Sequence, residues 1–210
     1  MSTTLLQADT EPNQFVTVTP AGCYYAVENN EPTIARQLLR RILGTQISPE
    51  LSVFASLDKE SIFELQKSGF VILSELPVTL PEGNLTSLLP HVLPALSERQ
   101  EVVLTESLQG LYLDFSGVGK KEAEELAVMA AAFHTMTKTR NSLLVDRLAV
   151  NSRAFGVVDP AGNSEIGFWP LHISDNVFTL IILGIPRFNS AQFCTLVWAL
   201  IERYGVSENP

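Results

Sequence analysis

The sequence predicts an α+β protein whose C-terminal half forms one antiparallel sheet with few helices. Three observations support this class. From Glu101 to Tyr204 the apolar periods follow the order strand, strand, helix, strand, strand, strand, helix. Pairs of these strand-like segments flank short turns that contain glycine, as β-hairpins do. The regular strand–helix–strand alternation of parallel α/β enzymes is missing from this pattern. We therefore predict a sheet platform rather than a crossover enzyme.

The composition points to a chain that buries surface against a partner. Of its 210 residues, 46% are hydrophobic and only 18% are charged, so the surface is thinly charged for a monomer. Surplus exposed apolar area usually marks an interaction site. Self-association is the first expectation.

The charge pattern makes nucleic acid an unlikely partner. The formal net charge is −9, with 5 basic and 10 acidic side chains in residues 1–97 and 9 and 13 in residues 98–210. A phosphate backbone needs a clustered basic footprint, and neither half provides one.

The cysteines and the apolar runs predict a cytoplasmic protein without a membrane span. Cys23 and Cys194 show neither CxxC nor Cys/His spacing, so the sequence suggests neither a metal site nor a disulfide framework. The first residues lack a basic segment followed by an apolar core, as a secretion signal would have. The longest apolar run, Val177 to Ile185, is too short to cross a bilayer.

Residues 1–83 are predicted to form a small N-terminal domain and linker. Thr33 to Leu43 carries an amphipathic helical stripe, Pro49 opens a brief helix to about Ala55, and Lys59 to Lys67 forms a third helix. The strand Phe70 to Leu73 follows directly. Three short helices that run into a strand through "LQKSGFVI" resemble a winged-helix module.

A winged-helix module suggests DNA binding, but its charges favour protein contact. Its only clustered bases are Arg36, Arg40 and Arg41. Its third helix is mixed in charge and would sit poorly in a major groove. A DNA-binding transcriptional regulator that uses this half is the alternative function.

Residues 84–210 are predicted to form the second domain. Asn84 to Ser97 is helical in composition, but two prolines should bend or fragment it. Alternating residues on both sides of the turn at Leu108 to Gly110 predict a hairpin. The segment Lys120 to Thr137 then takes a helical period with an alanine-rich inner face.

The leucines of the connector Arg140 to Asn151 favour a helical turn or two, and the sheet resumes at Ser152. The strands Arg153 to Val158 and Ser164 to His172 flank an Asp-Pro-Ala-Gly-Asn turn. The strand Val177 to Leu183 is apolar at nearly every position, which indicates a central strand covered on both faces. A closing amphipathic helix, Phe193 to Tyr204, packs on the sheet.

The catalytic and cofactor motifs that we sought are not present. The loop Ser116 to Lys120 has the place of a phosphate loop, but the first glycine of a Walker motif and its final Ser or Thr are missing. His91, His134 and His172 lack partners at ligand spacing. We predict no catalytic, cofactor or metal residue, and an enzyme that uses His134 or His172 is a distant alternative.

Interface centres favour large aromatic residues and arginine. The segments Phe168 to Leu171 and Ile185 to Asn189 contain such residues, and the closing helix adds Trp198. The alternative is that Phe168 and Trp169 face opposite sides of the sheet and pack under helices. The residues predicted at a partner or dimer interface are Phe168, Trp169, Arg187, Phe188, Cys194 and Trp198.

The C-terminal half resembles the Roadblock/LC7 family. The resemblance lies in the order of elements and in five segments: "LQGLYLDFSG", the acidic helix "KKEAEELAVMAAAF", the hairpin "VVDPAGN", the apolar strand "VFTLIILG" and the closing helix. It implies a five-stranded antiparallel sheet, ordered ββαβββα, with helices packed on one face. It also implies a homodimer that pairs through sheet edge and helix.

Members of that family are non-enzymatic scaffolds and regulators of small Ras-like GTPases. We therefore predict a homodimeric adaptor or regulator without enzymatic activity that binds or regulates such a GTPase. No cofactor is expected.

Overall fold

The computed structural model describes residues 13–139 and 154–205. Seven strands and six α-helices lie in these ranges, with short 3-10 turns at Leu51–Val53 and Leu93–Leu96. The elements in chain order are β1 (Phe15–Val18), α1 (Pro20–Val27), α2 (Ile34–Leu43), α3 (Ser56–Lys67), β2 (Val71–Ser74), α4 (Leu85–Val92), β3 (Val102–Glu106), β4 (Leu111–Ser116), α5 (Lys120–Thr139), β5 (Phe155–Val158), β6 (Ser164–Ile173), β7 (Asn176–Leu183) and α6 (Ala191–Tyr204).

The C-terminal half contains a five-stranded sheet with the strand order β4-β3-β7-β6-β5. Each neighbouring pair is antiparallel, so the predicted α+β class and the antiparallel sheet are confirmed. The apolar strand β7 lies in the centre, between β3 and β6, as its sequence predicts. Strands β4 and β5 form the two edges of this sheet.

Helices cover both faces of the sheet, which corrects the expectation of helices on one face. Val103, Phe168 and Ile181 face α5, and together with its inner alanines they form a small apolar cluster. The alternate residues of the same strands, such as Leu104 and Leu180, face a larger cluster that includes α4 and α6. Because successive strand side chains point to opposite faces, strands that are apolar throughout need cover on both.

The helix predicted at Asn84 to Ser97 is broken, as expected. It divides into α4 and the 3-10 turn Leu93–Leu96, with Pro90 inside the helix and a second proline in the turn. A proline has no N–H for the helical ladder, so the last part tightens instead. The connector predicted at residues 140–151 lies outside the described residues.

The N-terminal part holds a strand and a helix that the sequence analysis missed. Strand β1 pairs antiparallel with β2, and α1 follows with Thr19 as its N-cap. Cys23 lies in this helix. A Cβ atom placed on Gly22 would lie 2.1 Å from the carbonyl oxygen of Phe70, so α1 and the start of β2 can approach this closely only with glycine there. The winged-helix interpretation of this part stays a prediction.

The two parts of the chain share one apolar cluster. Buried residues of α1 and α2, such as Ala26 and Leu39, belong to the same cluster as Leu196 and Leu200 of α6. The elements α1 and α2 therefore cover the side of α6 that the sheet leaves open. The predicted division of the chain after residue 83 stays a prediction.

Candidate functional site

Two of the predicted interface residues are buried inside this chain. Phe168 lies under α5, where its ring meets Phe133 edge-on at a centroid distance of 4.9 Å. Trp198 is 3% exposed, on the part of α6 that packs into the shared cluster. Both side chains therefore belong to the core of this chain and are not exposed to a partner.

Trp169, Phe188 and two further rings form an aromatic cluster where the N-terminal part meets the sheet. Trp169 points to the face opposite Phe168 and meets Phe188 edge-on at 5.2 Å. Phe188 also contacts Tyr24 of α1 at 5.7 Å and Phe193 of α6 at 4.9 Å. These rings join α1 to α6 and β6. Phe168 and Trp169 therefore face opposite sides of the sheet and pack under helices, as the alternative to an interface role predicts.

Arg187 is exposed at the edge of this cluster. Its backbone N–H donates to the carbonyl oxygen of Leu96 at 2.9 Å, which fixes the loop before α6. Its side chain is exposed to solvent.

Burial in the aromatic cluster raises the pKa of Tyr24 to about 12, and the nearby Glu28 carboxylate adds to the shift. The unfolded phenol ionises near pH 10, so the folded state holds its proton longer. This contribution to stability is complete below pH ~10 and is lost as the pH rises towards ~12. Between these pH values the thermal midpoint of the wild type should decrease, and that of the control Tyr112→Phe should decrease equally. We expect a smaller decrease for Tyr24→Phe. Parallel curves for Tyr24→Phe and wild type would contradict this assignment.

Cys23 and Cys194 meet in the structure, although 170 residues separate them in the sequence. Cys23 is buried in α1, Cys194 is half-buried in α6, and their thiols hydrogen-bond. This hydrogen bond, together with burial, raises the pKa of Cys23 well above its usual value. The same hydrogen bond lowers the pKa of Cys194. No spacing in the sequence signals this pair, because a linear pattern does not specify contact between distant helices.

Two of the three clustered arginines donate hydrogen bonds to backbone carbonyl groups of this chain. Arg36 is 2% exposed; it donates to the carbonyl oxygens of Tyr25 and Glu31 and pairs with the Glu28 carboxylate at 3.4 Å. Arg40 donates to the carbonyl oxygen of Ala26 at 2.8 Å and makes three further hydrogen bonds. Both guanidinium groups thus satisfy carbonyls at and after the C-terminal end of α1, where cations are favourable.

These contacts leave few basic groups for a nucleic acid. Burial, followed by repulsion from Arg36, lowers the pKa of Arg40. The third arginine, Arg41, is paired with Asp58 at the start of α3. In the winged-helix interpretation α3 would enter a DNA groove, but Asp58 of α3 neutralises the positive charge of Arg41.

A cavity of about 280 Å³ lies between the C-terminal end of α5 and the sheet. Its walls are mostly apolar, and His134, His172 and Asp175 are among the lining residues. The structure thus brings together the two histidines of the enzyme alternative, whereas His91 is exposed on α4. In the described ranges, no three His, Cys, Asp or Glu side chains converge as metal ligands would.

The face of α5 that points away from the sheet carries three large apolar side chains. Val128 is 64% exposed, and Met129 and Met136 are nearly half-exposed. Val157 and Val158 on the edge strand β5 are also more than half exposed. We call Met129, Met136, Val157 and Val158 the α5–β5 face.

Comparison with protein-family models, with curated proteins and with solved structures gives no match to this chain. No helix in the described ranges combines the length and apolar composition that a bilayer crossing needs.

Proposed function

We propose that this protein is a non-enzymatic homodimeric adaptor that binds or regulates a small Ras-like GTPase. The observation that carries the proposal is the α5–β5 face. It combines exposed apolar side chains on a helix flank with exposed valines on an edge strand, and exposed apolar residues of this kind favour an interface. A sheet edge beside a helix is also the pairing surface that the Roadblock/LC7 resemblance implies.

The two flanks of α5 are not equivalent. On one flank, Phe133 stacks on Phe155 of β5 at 5.5 Å, so this side of the helix points towards the β5 edge. Met129 and Met136 lie on the same flank, four residues before and three after Phe133. On the other flank, the turn between β3 and β4 packs close, because a Cβ on Gly110 would lie 3.5 Å from Ala131 and 3.7 Å from Val128.

The β5 edge suits pairing with a second copy of this chain. Val157 and Val158 expose their side chains there, and an edge strand carries unpaired backbone groups that can hydrogen-bond to another strand. Antiparallel pairing of β5 with its own copy would obey two-fold symmetry, in which the same patch serves both partners. The thin charge of the whole chain supports such burial.

The second copy would leave the β4 edge accessible to another protein. Leu108 and Leu111 beside this edge are each 60% exposed, and Val128 lies next to them on the far flank of α5. We therefore propose the β4 edge as the surface that meets the GTPase. The exposure of these three apolar side chains supports this assignment.

The oligomeric state tests the first part of the proposal. In sedimentation equilibrium at micromolar concentration, we expect twice the 23.1 kDa mass of one chain. A monomer under these conditions would overturn the homodimer.

GTPase binding is tested with Ras-like GTPases from the same genome, loaded with GDP or with a non-hydrolysable GTP analogue. We expect interferometry to show binding to one nucleotide state and no nucleotide hydrolysis by the adaptor alone. Absence of binding in both states would retire the GTPase partner. Salt-sensitive binding of random duplex DNA in fluorescence anisotropy would favour the DNA-binding alternative instead.

A further inference from the structure

We propose that Cys23 and Cys194 form a redox-active pair that closes reversibly into a disulfide and thereby fastens α1 to α6. This inference is independent of the proposed function. It rests on the contact between the two helices, on the unequal burial of the two thiols and on the position of Cys194 in α6.

The surrounding rings hold the two helices in register. Tyr24, the residue after Cys23, meets Phe193, the residue before Cys194, at a centroid distance of 6.4 Å. Both rings also contact Phe188. Because these side chains are packed together, the neighbouring thiols are kept within hydrogen-bonding distance rather than meeting by chance.

The two thiols differ in the way that a two-step oxidation requires. Cys194 is half-buried and lies in the first turn of α6, after the N-cap Ser190, where the helix dipole favours a thiolate. Cys23 is 0% exposed and its side chain lies beside that of Cys194. An oxidant from solvent therefore reaches Cys194 first, and Cys23 is positioned behind it.

A peroxide serves as the oxidant. The Cys194 thiolate attacks one peroxide oxygen; the S–O bond forms, the O–O bond breaks, and the second oxygen leaves as water after taking up a proton. The Cys23 sulfur then attacks the Cys194 sulfenic acid. The S–S bond forms, the S–O bond breaks, and the hydroxyl leaves as water with the proton of the Cys23 thiol. Two thiols and one hydrogen peroxide thus give one disulfide and two waters.

The test uses the full-length protein treated with hydrogen peroxide and then alkylated. Since the chain has only two cysteines, intact mass should show the loss of two hydrogens, and digestion should yield one peptide that joins Cys23 to Cys194. We expect the thermal midpoint to rise by about 5–15 °C, because the bond closes a long loop, and to return with a dithiol reductant.

Cys194→Ser and Cys23→Ala are the matched controls, and neither should show the midpoint shift. Cys23→Ala adds no polar atom to the core, so it stays informative if Cys23→Ser unfolds. In Cys23→Ala, oxidation of Cys194 should proceed beyond the sulfenic acid. A disulfide between two copies of the chain, or a sulfinic acid on Cys194 of the wild type with Cys23 still reduced, would overturn the proposal.

Discussion

Replacing Met129 by glutamate should raise the dissociation constant of the dimer at least about 100-fold. Met129 lies on the flank of α5 that faces the β5 edge, within the proposed interface. A carboxylate buried there without a partner has a large desolvation cost, and two-fold symmetry places it in the interface twice. The measurement is sedimentation equilibrium across a dilution series. Glutamate is a good helix former, so α5 itself should be preserved.

Val128→Glu is the matched control for this substitution. It changes the adjacent residue of the same helix to the same charge, but on the flank beside the β3–β4 turn. We expect Val128→Glu to remain dimeric and to weaken GTPase binding at the β4 edge. If Val128→Glu dissociates the dimer and Met129→Glu does not, the roles of the two flanks are the reverse of those proposed. If neither variant dissociates it, the α5–β5 face is not the dimer interface.

Replacing Arg36 by alanine should lower the free energy of unfolding by about 3 kcal/mol. The substitution removes one donor each from the carbonyl oxygens of Tyr25 and Glu31 and from the carboxylate of Glu28. It also removes the guanidinium that lies 4.6 Å from the centre of the Tyr25 ring. Urea denaturation at neutral pH and a fixed protein concentration measures the difference, because a dimer's stability depends on concentration.

Arg41→Ala provides the comparison for Arg36. Arg41 pairs with Asp58 at the surface, where both side chains remain accessible to water. Exposed ion pairs of this kind contribute little, so we expect a loss of roughly 0.5 kcal/mol. Equal losses for the two variants would show that the buried network at the end of α1 does not stabilise the fold as argued.

The strands of the sheet were predictable because their patterns are strong. Strand β7 is apolar on both faces and β6 follows a firm turn, so their bounds differ from the prediction by about one residue. Because β7 is apolar on both faces, its sequence also predicts helices on both faces of the sheet. The expectation of helices on one face came from the family resemblance instead.

The missed elements lack such patterns. Strand β1 has four residues, and its partner β2 begins more than fifty residues later. Helix α1 begins with proline and contains Gly22, without an amphipathic stripe. Short segments of this kind are ordered by tertiary packing, which local propensity does not report.

The candidate site shows the same limit. Arg36 and Arg40 have the sequence signature of an exposed basic cluster, but the carbonyls at the end of α1 make their burial favourable. Trp198 has the signature of a surplus apolar face, and the covering surface comes from the chain's own first helices. The exposed flank of α5 was not predicted, although Met129 and Met136 lie outside the alanine stripe of the sequence.

The apolar cluster shared by α1, α2 and α6 couples the stability of the N-terminal part to that of the closing helix. Unfolding of α1 and α2 would uncover one side of α6 and expose Leu196 and Leu200 to water. We therefore expect the described residues of both parts to unfold in one cooperative transition, so that a single free energy of unfolding applies to them together.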